Sequence, residues 1–392
     1  MSSSTTSASG GACQGTWTSI PPLLLNNEPP AFAGVTARAD GHVFVLYGRP
    51  ADLPTLFGQP PPRIDVAEYV PGTGWLTFES VTEVRMRGVM EFTATSTGLV
   101  VWYESGTVSG ALVRGEYDLA THAWTNTSPF GANPPADAVY YRFARRMLTD
   151  NWMTYFGELY DDGQTPTCRL TRPSILVLPF TSNPQQAVQP GIPPLSSRVD
   201  TPAARVGDRV FFWGGYRQFR GNGCQKTYHE DGAFFQPSTG AWSSPVTIPE
   251  PDAPIGQANS EVIVVDLGDR AGVVEKIGSQ TRVHTLAPGA TAYQTFIPNQ
   301  AYNEGQFVVE FWDRENSQSS GTFGIVMFSP SRHAGWRYQT STNAMAPLCT
   351  PPGPISGLEY FAGSLIIKTA VVPTDLGLMV LGREGGGYLT LP

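Results

Sequence analysis

Seven times along this chain a strand-like run ends in a corner rich in Pro, Gly, Ser or Thr, and in six of the copies an aromatic ring follows within a few residues. The clearest copy is Phe235–Trp242, FQPSTGAW. Tyr69–Trp75 (YVPGTGW), Tyr117–Trp124 (YDLATHAW) and Phe328–Trp336 (FSPSRHAGW) repeat it, and Leu286–Tyr293 and Leu381–Tyr388 are weaker versions. A seventh, at Leu178–Pro184, lacks the final ring. Proline presets φ at the first turn position, and Gly, Ser and Thr supply the turn backbone or its local hydrogen bonds. The ring beyond the turn carries a large apolar face to bury between neighbouring sheets. The corners return every ~43–61 residues, the period of four-stranded units stacked around an axis.

Pairs of short apolar runs precede the corners. Gly34–Ala39 and His42–Tyr47 flank Asp40-Gly41, a hairpin signal, and Ala203–Val206 and Arg209–Trp213 flank Gly207-Asp208. Val262–Asp266 and Gly272–Glu275, and Tyr360–Phe361 and Ser364–Lys368, form similar pairs. No helical period is present. The expected fold is an all-β propeller of seven blades, with six or eight left open. Its units are 31–83, 84–134, 135–194, 195–252, 253–298, 299–350 and 351–392. Residues 1–14 read as a flexible polar leader, and 15–392 as one propeller domain. Gly15–Pro21 looks like an outer strand closing the last unit, yet Tyr388–Leu391 already reads as that unit's fourth strand. Gly385–Gly387 reads as a turn.

With Gly214-Gly215 followed by the Phe235–Trp242 corner, the chain resembles the kelch-repeat propellers. The resemblance covers most of the chain past residue 30 as a period and only a minority of it as a motif. It implies the ring. Kelch propellers serve as protein-binding platforms, glycan-associated modules and, in the galactose oxidase group, copper enzymes, so the role stays open.

Composition narrows the partners. Net charge is −8, and only 15% of residues are charged. Nucleic acid is not expected, because phosphate recognition needs clustered Lys and Arg. No apolar run reaches the ~20 residues of a membrane-spanning helix. The four cysteines contain no C-x-x-C pair, so zinc is not expected. Cys13 and Cys349 lie near opposite chain ends, which a closed ring brings together. Cys168 and Cys224 lie in polar loops about one blade apart. Of the three possible pairings these two are favoured, and disulfides suit an exported, extracellular or periplasmic protein. A monomer is expected.

No catalytic motif stands out. The five histidines, His42, His122, His229, His284 and His333, are widely spaced and read as solvated turn residues; no metal and no cofactor is expected. The acidic loops at Tyr160–Gly163 and Asp313–Ser319 lack calcium-loop spacing. The candidate site is positional. Strands alternate direction, so the ends of all second strands share one face with the connections between blades. There the chain places Tyr47, Arg49, Tyr103, Glu104, Glu158, Tyr216, Arg217, Glu275, Lys276, Trp312, Asp313, Arg314 and Lys368. Aromatic faces beside both signs of charge suit sugars and polar peptides. The long loops Arg49–Arg63, Leu159–Arg172 and Tyr216–Tyr228 stand on the same face. The expected role is a non-catalytic module binding a glycan or protein partner. The alternative is a carbohydrate-active enzyme, either a hydrolase using Glu104, Glu158 or Asp313, or a copper oxidase.

Overall fold

In the computed structural model every regular element among the described residues is a β-strand. The structure describes residues 13–25, 27, 30–37, 41–48, 63–105, 112–127, 145–149, 152–160, 170–179, 193–221, 223–248, 260–277, 280–297, 308–311, 324–329, 334–340, 342–351, 370–374, 377–382 and 385–390.

After β1 (Thr16–Ile20), the first sheet is β2 (Ala31–Ala37), β3 (Val43–Gly48), β4 (Ile64–Val70) and β5 (Gly74–Phe78). The second is β6 (Met86–Ala94), β7 (Gly98–Ser105), β8 (Leu112–Asp118) and β9 (Ala123–Thr127). The third has three strands among the described residues, β10 (Arg145–Thr149), β11 (Trp152–Tyr160) and β12 (Leu170–Pro179). The fourth begins β13 (Ala203–Val206) and β14 (Arg209–Trp213). A separate hairpin follows, β15 (Tyr216–Gly221) and β16 (Gly223–Tyr228), before β17 (Asp231–Gln236), β18 (Ala241–Trp242) and β19 (Val246–Thr247) complete the sheet. The fifth is β20 (Ser260–Asp266), β21 (Ala271–Ile277), β22 (Gln280–Leu286) and β23 (Gln294–Phe296). The sixth is β24 (Val308–Phe311), β25 (Gly324–Ser329), β26 (Ala334–Gln339) and β27 (Ala344–Pro347). The last is β28 (Ala370–Thr374), β29 (Gly377–Gly382) and β30 (Gly385–Thr390), with β1 as its outermost strand.

Six sheets therefore carry at least four strands among the described residues, and the propeller has six such blades, a number left open beside the seven expected; the unit 135–194 supplies a sheet of three described strands. All pair antiparallel. The first strands β10, β13, β20, β24, β28, β2 and β6 neighbour one another in that order, as the inner strands of a β-propeller do. Packing follows the same plan. The buried apolar residues fall into six clusters, each wedged between two neighbouring sheets. The corner rings fill these wedges as expected. Trp242 packs on Phe212 and Phe235 of its own sheet and on Phe156 of the preceding one, with centroids 5.9, 4.8 and 5.7 Å apart. Trp75 packs on Tyr69, whose other side meets Tyr388 of the last sheet.

The chain ends meet. β1 pairs along β30 from Thr16↔Thr390 to Ile20↔Gly386, and Cys13 is disulfide-bonded to Cys349 across 336 residues. Gln14 exchanges backbone bonds with Pro347 and Cys349, and the Trp17 indole donates to the Cys349 carbonyl. The anchored segment thus begins at Cys13, inside the stretch that composition assigns to the leader. Closing so long a loop removes much unfolded-state entropy, about 6 kcal/mol in the chain-entropy picture.

Two units differ from the sequence reading. In the last sheet β28 and β29 are the inner pair, so Tyr388 lies on the third strand, β1 is the fourth, and Gly385–Gly387 belongs to a paired strand. The runs Tyr360–Phe361 and Ser364–Lys368 lie outside the described residues. The corner at Leu381–Tyr388 therefore joins second to third strands, as does Phe328–Trp336 between β25 and β26. The same turn chemistry serves every antiparallel connection, so it marks a corner without saying at which end of the blade.

Candidate functional site

Blade four carries the best-described part of the proposed face. β14 buries Val210, Phe211, Phe212 and Trp213 on both sides and then runs into Gly214 and Gly215, at φ 62° and 84°. A Cβ on Gly215 would lie 2.6 Å from the Thr201 hydroxyl and 2.7 Å from the Val199 carbonyl. The bare left-handed backbone lets the chain leave its sheet against that wall. Tyr216 then exchanges both backbone bonds with Val199, at 3.0 Å each, and the chain pairs with itself as β15–β16. Tyr216–Tyr228, expected from the sequence to be a polar loop, forms a two-stranded hairpin, with β15 paired to β16 from Tyr216↔Tyr228 to Gly221↔Gly223.

One buried cation clips the hairpin's base. The Arg198 side chain is fully enclosed. It holds the Asp231 carboxylate through Nη1 (2.8 Å) and Nη2 (3.2 Å), and donates to the carbonyls of Ser196 (3.0 Å), Gly214 (3.1 Å) and Asp231 (3.3 Å) and to the Ser196 hydroxyl (2.9 Å). The planar fork suits this many acceptors. Blade three presses on the same segment. At the register shift between Phe156 and Glu158, Gly157 (φ 85°) approaches so closely that a Cβ would sit 2.3 Å from the Arg198 carbonyl. Thr171 of β12 also bonds the backbone of Gln218 in β15, accepting from its N–H (3.1 Å) and donating to its carbonyl (3.3 Å). Cys224 on β16 is in a disulfide; Cys13 and Cys349 hold each other, and the remaining cysteine, Cys168, lies outside the described residues.

The exposed hairpin combines rings and cations. Tyr216 and Tyr228 lie 5.9 Å apart, the Lys226 ammonium sits 4.0 Å over the Tyr216 ring, and Arg217 lies 5.9 Å from the Phe219 ring. His229 stands at the base. Burial pushes its imidazole below the ordinary 6.5, and the Arg198 charge adds to this. The Ser196 hydroxyl is 3.3 Å from Nδ1 and 3.2 Å from Nε2. Near-equal distances leave the oxygen off the line of either ring lone pair, and the hydroxyl already accepts from Arg198. This is not the aligned pair that an activated serine needs. A group whose folded pKa is depressed adds stability above its unfolded pKa and loses it on acidification. The contribution of His229 is therefore complete above about pH 6.5 and falls as pH drops through its lower folded value. An NMR titration of the His229 ring should give a midpoint below 6.5; a midpoint at or above that contradicts this environment.

The other candidates scatter. Tyr47 and Tyr103 are 3% exposed and Glu275 1%, so none stands at an open rim. Tyr47 and Tyr103 pack inside the wedges between neighbouring sheets, and Glu275 is enclosed on β21. Burial raises the Tyr103 hydroxyl to about 12. Glu275 accepts from His284 Nε2 at 2.9 Å, both side chains 1% exposed, while His284 Nδ1 meets the Thr295 hydroxyl at 2.9 Å. His284 is therefore a buried core residue and not a solvated one. His42 contacts Glu68 at 2.6 Å, and His122 sits in the β8–β9 turn against Tyr117 and Phe78. Among the described residues no three His, Cys, Asp or Glu side chains gather as metal ligands.

Glu104, Glu158 and Lys276 lie near the ends of β7, β11 and β21, as expected, with side chains outside the description. Arg49, Trp312, Asp313, Arg314, Lys368 and His333 lie outside the described residues. The nearest described strands, β24 before Trp312–Arg314 and β28 after Lys368, are each the first strand of their sheet. Sequence reasoning brought Tyr216 and Arg217 to the site. It missed Arg198, Asp231 and the clip, whose partners are 33 residues apart. The Gly221-Asn222-Gly223 stretch of the sequence was the available hairpin signal.

No protein-family model matches the chain, and no curated protein matches it in sequence. Solved structures do match in shape. A puromycin-hydrolyzing peptidase of Mycobacterium tuberculosis aligns with TM-score 0.51 and 12% identity over 94% of this chain, which spans 52% of that protein. YCF48 bound to a D1 peptide aligns at TM-score 0.49 and 9% identity, over 98% of this chain and 100% of that one. Apo AztD from Citrobacter koseri aligns at 0.42 and 9%, over 90% and 80%. At such identities the likeness concerns the fold alone, and the chain covers about half the length of the peptidase.

Proposed function

We propose that this chain is an exported, kelch-like β-propeller acting as a monomeric, non-catalytic binding module. It takes a glycan or protein partner on the face that bears the second-to-third strand loops. The observation that carries the reading is the β15–β16 hairpin. It projects from that face with exposed Arg217, Lys226 and Tyr228, on a base stiffened by a buried arginine. Rigid rings and cations on a fixed scaffold suit recognition, because little side-chain freedom remains to be lost on binding. The paired glycines at left-handed φ and the Phe235–Trp242 corner support the kelch assignment. The Cys13–Cys349 bond supports export to an oxidising compartment.

Immobilised glycan and peptide panels probed with the whole protein test this. The variant Arg217→Glu/Arg220→Glu should weaken retained ligands by about tenfold or more, a scale of about 1.4 kcal/mol. Arg209→Glu, at the opposite end of the same blade, should change binding by less than about twofold. Absence of any ligand on both panels, or equal effects of the two variants, contradicts the proposal.

A further inference from the structure

The hairpin has two edges, and among the described residues only one is occupied. On β15 the outward backbone groups are taken: Tyr216 bonds Val199, and Gln218 bonds the Thr171 hydroxyl through both N–H and C=O. In an antiparallel ladder, residues facing away from the partner strand alternate with those facing it. Tyr216 and Gln218 are opposite Tyr228 and Lys226, so the N–H and C=O groups of Lys226 and Tyr228 point away from β15 on the other side. These two make no backbone hydrogen bond to another described residue, and residues 224–228 are exposed throughout. An unpaired edge of this kind is a template for an added strand.

Charge restricts what can be added. Between Tyr216 and Tyr228 stand Arg217, Arg220 and Lys226 and no acid, on a chain of net charge −8. Lys226 lies on the open edge itself, beside the two tyrosine rings. Resting on the binding role proposed above, we infer that β16 accepts an extended acidic peptide segment of a partner protein as a third strand of this small sheet. An added strand advances ~3.3 Å per residue, so carboxylates at alternate positions fall ~6.6 Å apart on the face shared with Lys226. A sulfated or uronic-acid glycan meets the same cations but has no regular N–H and C=O series to satisfy the edge, and the edge therefore favours the peptide.

Selection of phage-displayed random dodecapeptides on the whole protein, followed by anisotropy with the labelled winners, tests the inference. Enriched sequences should carry Asp or Glu at alternate positions. Lys226→Pro removes the outward N–H while leaving the ladder bonds of Gln225 and Thr227 to β15, and should weaken binding about tenfold more than Lys226→Gln does. On the unmodified protein, the Lys226 and Tyr228 amides should exchange at least about tenfold more slowly with peptide bound, a readout that does not depend on the proline variant folding. No acidic enrichment, equal effects of Pro and Gln, or unchanged exchange overturns strand addition. Tighter capture of a sulfated oligosaccharide, insensitive to Lys226→Pro, overturns it in favour of a glycan. A ligand that is lost with Arg217→Glu/Arg220→Glu yet indifferent to Lys226→Pro removes this inference and leaves the binding role standing.

Discussion

Arg198→Met is expected to lower folding stability by about 3–5 kcal/mol, the range for breaking a buried ion pair by removing one partner. Methionine replaces much of the volume, so the loss is electrostatic. Three backbone carbonyls, the Ser196 hydroxyl and the Asp231 carboxylate lose their donor together. Asp231 is 23% exposed and recovers some hydration, while the carbonyl of Gly214 meets the guanidinium in a buried contact. Arg198→Lys should recover only part, since an ammonium has three donors and no planar fork. Urea denaturation measures the change. A loss below about 1 kcal/mol would mean that the guanidinium carries a solvated, surface-type pair. The effect should reach the hairpin too, because Arg198 holds Gly214 and Asp231, which bracket it.

The second large effect is expected at Glu275. Glu275→Ala leaves His284 buried beside Tyr293 without its carboxylate, and opens a cavity between β21 and β22. About 3–5 kcal/mol should be lost. Glu275→Gln keeps the shape and an acceptor for His284 and should cost about 1–2 kcal/mol. The difference between the two variants, read by the same denaturation, isolates the carboxylate's bond from its volume. Equal and small losses would show the pair to be hydrated.

The sequence displayed the units of this fold through its corners, because turn residues and the ring beyond them have local physical reasons to recur. The described sheets fall within their expected units except the last, whose outermost strand β1 comes from residues 16–20. What the corners did not display is which connection they occupy. Phe328–Trp336 and Leu381–Tyr388 join second to third strands here, β25 to β26 and β29 to β30. Burial at strand ends was equally hidden. Runs such as Val43–Tyr47 are apolar on both faces because sheets cover both sides, so no alternation tells which terminal side chain emerges. Tyr47 stays in, whereas Tyr216, beyond the double glycine, is half-buried and Tyr228 is exposed. The Arg198 clip was illegible for another reason. Ser196–Val199 has no period, and its partner lies across the hairpin in the chain.

All of these features depend on a wheel closed by its own two ends. Peptide mapping of the oxidised protein after digestion without reductant tests that most directly. The expected result is a cross-linked peptide joining Cys13 to Cys349, with a second joining Cys168 to Cys224. Cys13 found free, or joined to Cys168 or Cys224, would contradict the closure.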